Sequence, residues 1–520
     1  MGSEDNSIYS EGTKRNSGKS AQRMNIYAAK LVAQTIRTTL GPKGMDKMLV
    51  DSQGDVTVTN DGVTILKQID VDHPAAKMII EIAKTQESEV GDGTTSAVII
   101  AGELLKQAEE LLDNNIHPTI IAKGYRIAAE KALEILPRLA EPITNREETL
   151  LKIAQTAMTG KGAEEDKEHL SELIIQAIKK ISKNDQFSKE ELSVEKKVGA
   201  SIKQTELIQG VVIDKERVYS AMPKKIEDAK IALINSPIEI KGLENDAKIN
   251  ITDPEKIQSF IEIEEKMIKS LTDKIIATGA NVVFCQKGID DLAQHFLAKK
   301  GIYACRRIKK TDMEKLSKAT NANIISDVQD IKTEDLGRAG IVHEVKVGEE
   351  YMTYVEKCEN PKTVTILVRG ATPHLVEEVK RAIEDAIGDI HATKDLCVTG
   401  AGSLEINLSQ KLLREAELLS GREQLAAKAF AKSLEIIPRT LAENAGLDPI
   451  DIITELKSEH EKQNKYAGIN VYTGKVMNAK EAGVIEPLKI KMQAISGAAE
   501  VAIMILRIDD VILSAIQTEE

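Results

Sequence analysis

Apolar residues recur at three- and four-residue spacing over 21–40, which predicts a helix that Gly41-Pro42 terminates. The same period predicts helices over 75–90 and 94–115. The second of these carries Val98, Ala101, Leu104, Leu105, Ala108, Leu111 and Leu112 on one face. Between the first two helices the period falls to two. Residues 47–50 and 56–59 read as a hairpin split by Ser52-Gln53-Gly54, followed by a turn at Asn60-Asp61-Gly62. Residues 145–212 are helical at first, then mixed and rich in Lys and Glu. From 213 to 360 short apolar runs (231–234, 282–285, 323–325) alternate with helical stretches (292–300, 313–319), the mark of an α/β domain. Thr252 and Glu255 form a capping box around Pro254, and Ile257, Phe260, Ile261, Ile268 and Leu271 follow as a stripe suited to a core. A strand at 364–368 ends at Arg369-Gly370, and helices return from 374 to the C-terminus. Helical outer parts around an α/β middle imply a domain inserted within a domain, whose two ends must meet again.

Composition narrows the function classes. Among 520 residues, 70 Lys+Arg face 82 Asp+Glu, a net charge of −12. That balance argues against a non-specific nucleic-acid binder, which needs clustered cations for phosphate. No apolar run reaches about 18 residues, so no transmembrane helix is expected. The first twenty residues lack the apolar centre of a secretory signal. Cys285, Cys305, Cys358 and Cys397 form no CxxC pair, which points to free thiols in a reduced, cytoplasmic setting. No HExxH occurs, so a zinc hydrolase is disfavoured.

Two glycine-rich breaks could carry chemistry. Thr39-Leu40-Gly41-Pro42-Lys43-Gly44 ends one helix, and Gly91-Asp92-Gly93-Thr94-Thr95 begins another. At the second, free N–H groups at a helix N-terminus suit a phosphate, and Asp92 beside it would need a cation such as Mg²⁺ between. An ordinary capping turn explains the same residues. No GxxxxGK[ST] is present, and Glu405 stands where the third glycine of a dinucleotide fingerprint after Gly400-Ala401-Gly402 would fall. Asp61 and Asp385 are candidates to align water for phosphoryl transfer, although most of the 82 carboxylates must be solvated surface.

Taken in order, these segments resemble the group II chaperonins, the archaeal thermosome subunits and their eukaryotic cytosolic relatives. The resemblance rests on Thr39 to Asp46, Thr59-Asn60-Asp61-Gly62-Val63-Thr64, the Gly91 to Thr95 break, Met158-Thr159-Gly160-Lys161, Gln286 to Asp290, Val368-Arg369-Gly370, Ile437 to Gly446 and Leu506 to Asp510. It extends from about residue 10 to about 514. It implies a multidomain chain with a mostly helical equatorial domain (1–144 and 399–520), an α/β intermediate domain (145–212 and 361–398) and an α/β apical domain (213–360). The apical domain would bear a helical lid protrusion at about 245–275.

The implied activity is ATP-dependent protein folding by a Mg²⁺-dependent ATPase. Leu40, Gly41 and Pro42 would line the phosphate pocket, Gly93, Thr94 and Thr95 would donate to phosphate, and Asp92 would hold the metal. Asp61 and Asp385 would flank the attacking water, and Lys161 would sense the γ-phosphate. Gly400, Gly402 and Glu481 would form the nucleoside side. The implied partners are unfolded protein clients, gripped by helices such as 292–297, and like or paralogous subunits in a double ring of eight or nine per ring. No nucleic acid or membrane is implied. Two residues depart from the family pattern: Ala401 stands for a glycine, strained if its φ is positive, and Asn478 stands for a common Asp. They motivate a second reading, a structural or regulatory ring subunit with weak ATPase. A small-molecule kinase, a third, has no supporting motif.

Overall fold

The structure is a computed structural model that describes residues 14–182, 187–239, 254–348, 350–358 and 363–513. The chain forms two compact units. One combines residues 1–167 with 381–520, and the other comprises 168–380. The second is inserted in sequence between the two segments of the first, with borders at 167/168 and 380/381.

The first unit is a helical assembly around Leu488–Leu506. This helix buries Ile490, Ala494, Ile495, Ala498, Ala499, Ala502, Ile503 and Ile505, so it is apolar on most of its circumference. It packs against Pro74–Val90, Thr94–Asp113 and Pro118–Leu139. Helix Gly18–Arg37 crosses Thr94–Asp113 closely, because a Cβ at Gly102 would lie 2.4 Å from the Ala33 methyl. The predicted hairpin appears at Lys47–Val50 and Val56–Thr59. The Asn60-Asp61-Gly62 segment is more than a turn: Asp61 caps a short helix, Gly62–Gln68, its carboxylate accepting from the Thr64 N–H. Both chain ends return to this unit. Lys14–Ser17 pairs antiparallel with Asp510–Leu513, and Arg15 makes a two-pronged ion pair with Asp510.

The second unit is α/β. Its larger sheet runs Tyr303–Cys305, Val282–Cys285, Lys225–Ile234, Gly337–Val347, Glu350–Cys358, Gly210–Ile213, with Ile324–Ile325 paired to Lys225–Ile234. Strands 303–305, 282–285, 225–234 and 324–325 are parallel, and the rest join antiparallel. All four residues of Val282–Cys285 are buried, as a strand covered on both faces requires. Helices Pro254–Ala277, Asp291–Lys299 and Lys310–Thr320 accompany it. A second sheet pairs Val364–Gly370 with Leu192–Val198 and Glu206–Ile208.

The capping position Thr252 and the start of the expected protrusion lie outside the described residues. The helix that follows, Pro254–Ala277, is present, with Ile268 buried and Ile263 and Met267 exposed. In the candidate client-contact helix, Leu297 is buried in the core and Leu292 is exposed. No described helix is long and apolar enough to cross a membrane. The four cysteines are free thiols, three of them buried.

Candidate functional site

A cavity of about 450 Å³ opens in the first unit. Its walls come from segments separated by hundreds of residues. Two helix N-termini contribute to them. Gly93 (φ +79°) precedes Thr94–Asp113, and Gly402 (φ +75°) precedes Ser403–Glu417. Neither helix has a side-chain cap, so backbone N–H groups of the first turn lack a side-chain acceptor there. Both glycines line the cavity, together with Thr94, Thr95 and Ser96. Two helix N-termini and two threonine hydroxyls make an anion cradle. An added Cβ at Gly93 would sit 2.7 Å from Ile490 Cγ2, so both the positive φ and the space require glycine.

Asp61 and Asp92 face the same cavity. The Asp92 carboxylate accepts from the Gly93 N–H at 2.6 Å. Lys161 lines the cavity from the turn after helix Arg146–Met158. Its Nζ donates to Asp385 at 2.5 Å, with each side chain about one-fifth exposed. Burial opposes the lysine charge, but Asp385 and Asp92 more than offset it and hold its pKa above the usual lysine value. Burial also pushes the Asp385 carboxyl up to about 7, against the pull of Lys161, with Asp92 and Asp61 adding to the rise. Asp389, one helical turn beyond Asp385, lines the cavity at 3% exposure. Burial and the neighbouring Asp92 raise its pKa well above the ordinary range.

Most of the expected site residues converge here: Leu40, Gly41, Pro42, Asp61, Asp92, Gly93, Thr94, Thr95, Lys161 and Gly402 all line the cavity. Asp385 reaches it through Lys161 rather than lining it. Gly400 lies behind the wall, where a Cβ would meet Glu486 Oε1 at 2.4 Å. Glu481 is not brought to the cavity. It is exposed, and its N–H donates to Asn478 Oδ1. Glu486 takes the inward place five residues on. Asn478 does not line the cavity either. Its Oδ1 accepts from the Lys480 and Glu481 N–H groups, a turn that an Asp would close equally well. Ala401 does line it, at φ +55°, the positive value that strains an L-residue.

Several wall residues went unread in the sequence. Gln86, 1% exposed, donates to the carbonyls of Asp92 and Ile490 and pins the glycine loop to the central helix. Asn60 donates to the Gly160 carbonyl at 2.7 Å. Lys491 bridges Glu405 at 3.0 Å and Glu486 at 2.7 Å beneath the cavity. Ile437, Leu441, Ile469, Val471 and Met477 give the cavity its apolar lining, with Ile469 bonded through its N–H to the Ala401 carbonyl beside Gly402. None carries a local spacing signal; only the fold brings them together. The cavity thus joins helix N-termini suited to an anion, carboxylates, one part-buried Lys–Asp pair and an apolar lining. That combination suits a nucleotide with a divalent cation, and the acidic surplus beside the cradle fits the metal.

Residues 32–515 match the model of the TCP-1/cpn60 chaperonin family. The chain is 60% identical over 510 residues to thermosome subunit beta of Methanothermobacter thermautotrophicus, covering 98% of this chain and 94% of that one. It is 61% identical over 512 residues to thermosome subunit beta of Archaeoglobus fulgidus, covering 97% and 94%. A solved open-state monomer of a group II chaperonin from Methanococcoides burtonii superposes with a TM-score of 0.61 at 49% identity, covering 81% of this chain and all of that one. The chain belongs to the TCP-1/cpn60 chaperonin family. Within it, the chain is of the group II, thermosome-like kind.

Proposed function

We propose that the chain is an ATP-hydrolysing subunit of a double-ring chaperonin that encloses unfolded proteins in the cytoplasm. The observation that carries this reading is one cavity lined by two glycine-preceded helix N-termini, Asp61, Asp92 and Lys161, the last paired with Asp385. The N–H groups of Thr94 and Thr95 would bind phosphate oxygens, and the apolar lining would take the base. Asp92 would hold Mg²⁺, which when bound neutralises phosphate charge and polarises the transferred phosphoryl group. Asp385, with its raised pKa, would take the proton of the attacking water. Lys161 would hold that carboxylate in place and feel any charge arriving at the γ-phosphate position. Asp61 has less freedom, because its carboxylate also caps the Gly62–Gln68 helix through Thr64.

In this reading 145–212 and 361–398 form the intermediate domain and 213–360 the apical domain, with a lid that begins near the Pro254–Ala277 helix. Exposed Leu292, Ile263 and Met267 offer apolar surface to clients. Like or paralogous subunits would complete rings of eight or nine. Nucleotide must bind the closed arrangement more tightly than the open one for the lid to move.

The test is steady-state ATP hydrolysis by the size-purified assembly of this chain alone, beside Asp385→Ala. Mg²⁺-dependent turnover that the substitution abolishes supports the reading. An assembled ring without turnover sinks it and favours the second reading, a structural subunit that acts only beside paralogues, which the strained Ala401 motivates.

A further inference from the structure

Asp389 has no task in the mechanism above. It lies on helix Pro373–Ala392 four residues after Asp385, so the helical repeat places both on one face. Its side chain is 3% exposed, it lines the cavity, and its buried Oδ1 has no hydrogen-bond partner. A buried carboxylate oxygen without a donor is costly and calls for a partner that protein atoms do not supply. The cations around the cavity are engaged elsewhere. Lys161 is bound to Asp385, Lys491 to Glu405 and Glu486, and Lys167 to the Thr159 hydroxyl. Asp92 lines the same cavity, and its charge adds to the rise in the Asp389 pKa.

Among the described residues no three His, Cys or carboxylate side chains could hold a metal ion by themselves. A cation here therefore needs ligands from outside the protein. Mg²⁺ and Mn²⁺ accept that: one or two carboxylates, with phosphate oxygens and water completing an octahedron.

We infer that Asp389 is a second carboxylate ligand, beside Asp92, for the divalent cation that accompanies a nucleotide phosphate in this cavity. The inference rests on the nucleotide reading of the cavity and adds the residue that completes its metal side. Asp389, on helix Pro373–Ala392, and Asp92, in the loop before Thr94–Asp113, would then hold the ion from two separate elements of the cavity wall.

The experiment titrates Mn²⁺ into the full-length assembly saturated with ADP and reads free Mn²⁺ by electron paramagnetic resonance. ADP affinity is measured separately in EDTA. Asp389→Asn is expected to weaken Mn²⁺ binding at least tenfold while leaving metal-free ADP affinity within about twofold. Asp389→Val, which fills the buried site without charge, serves the same comparison if the amide variant fails to assemble. Asp389→Cys is expected to exchange Mn²⁺ preference for Cd²⁺, with a thiolate-to-metal absorption band absent from the parent protein. Such a band requires direct ligation, which a general effect of charge does not produce. Unchanged Mn²⁺ affinity in a variant that still binds ADP overturns the metal role alone, as does Cd²⁺ binding without the band. A parent assembly that binds no ADP overturns the nucleotide reading and this inference with it.

Discussion

Ala401 offers a direct test of how the site is built. It sits at φ +55°, in the left-handed region. An L-residue there costs about 1–2 kcal/mol relative to its preferred conformations. Gly removes that strain but frees the unfolded chain, which returns about 0.4–1 kcal/mol. Ala401→Gly should therefore stabilise the protein by about 0.8 kcal/mol, within bounds of about 0 and 1.6. The loop is held by the protein's own backbone. The Gly400 N–H donates to Val484, the Ser403 N–H to Gly400, and the Ile469 N–H to Ala401 itself. The strain thus belongs to the fold and not to ligand binding. Urea denaturation of the parent and variant assemblies reads the stability term. With a slope of about 3 kcal/mol/M the midpoint should rise by about 0.3 M. Calorimetric ADP affinity reads the other term and should change less than twofold. The reasoning fails if the midpoint falls. It also fails if the midpoint is unmoved while affinity rises about fourfold, the factor that 0.8 kcal/mol becomes when it is expressed on binding.

Two other outcomes follow from the same geometry. Gln86→Leu leaves the Asp92 and Ile490 carbonyls without their side-chain donor, so it should cost about 1–3 kcal/mol and weaken ADP binding, read by melting and calorimetry. The Glu141 carboxyl is held down to about 2 by hydrogen bonds from Lys465 and Tyr466, with Lys480 adding to them. Its folded value lies below the unfolded value of 4.5, so its contribution is complete above that pH and is lost as pH falls through about 2. Glu141→Gln should therefore lower the melting temperature above pH 4.5 and converge with the parent near pH 2. A difference that persists in strong acid would refute the assignment.

Local pattern was sufficient for the elements. The hairpin at 47–50 and 56–59, the helix starting at Thr94 and the buried strand 282–285 depend on the spacing of apolar residues and on glycine, and both are written in the chain itself. The insertion of one compact unit within the other follows a change of hydrophobic period, although its borders at 167/168 and 380/381 fall elsewhere than the pattern placed them. The short strands Leu396–Thr399 and Ile485–Pro487 were hidden, since they pair with each other and with Glu141–Pro142 across long stretches of chain. The site divides in the same way. Gly93, Thr94 and Asp92 stand together in sequence, so a candidate anion site at a helix N-terminus is legible locally beside the plainer reading of a capping turn. Gln86, Glu486 and Lys491 declare nothing alone. Asp389 in sequence is one acidic residue among 82 Asp and Glu on an amphipathic helix. Only tertiary packing turns it inward, removes its water and leaves one oxygen without a donor. Burial and partnership are properties of segments that meet from opposite ends of the chain, and no local pattern encodes which will meet.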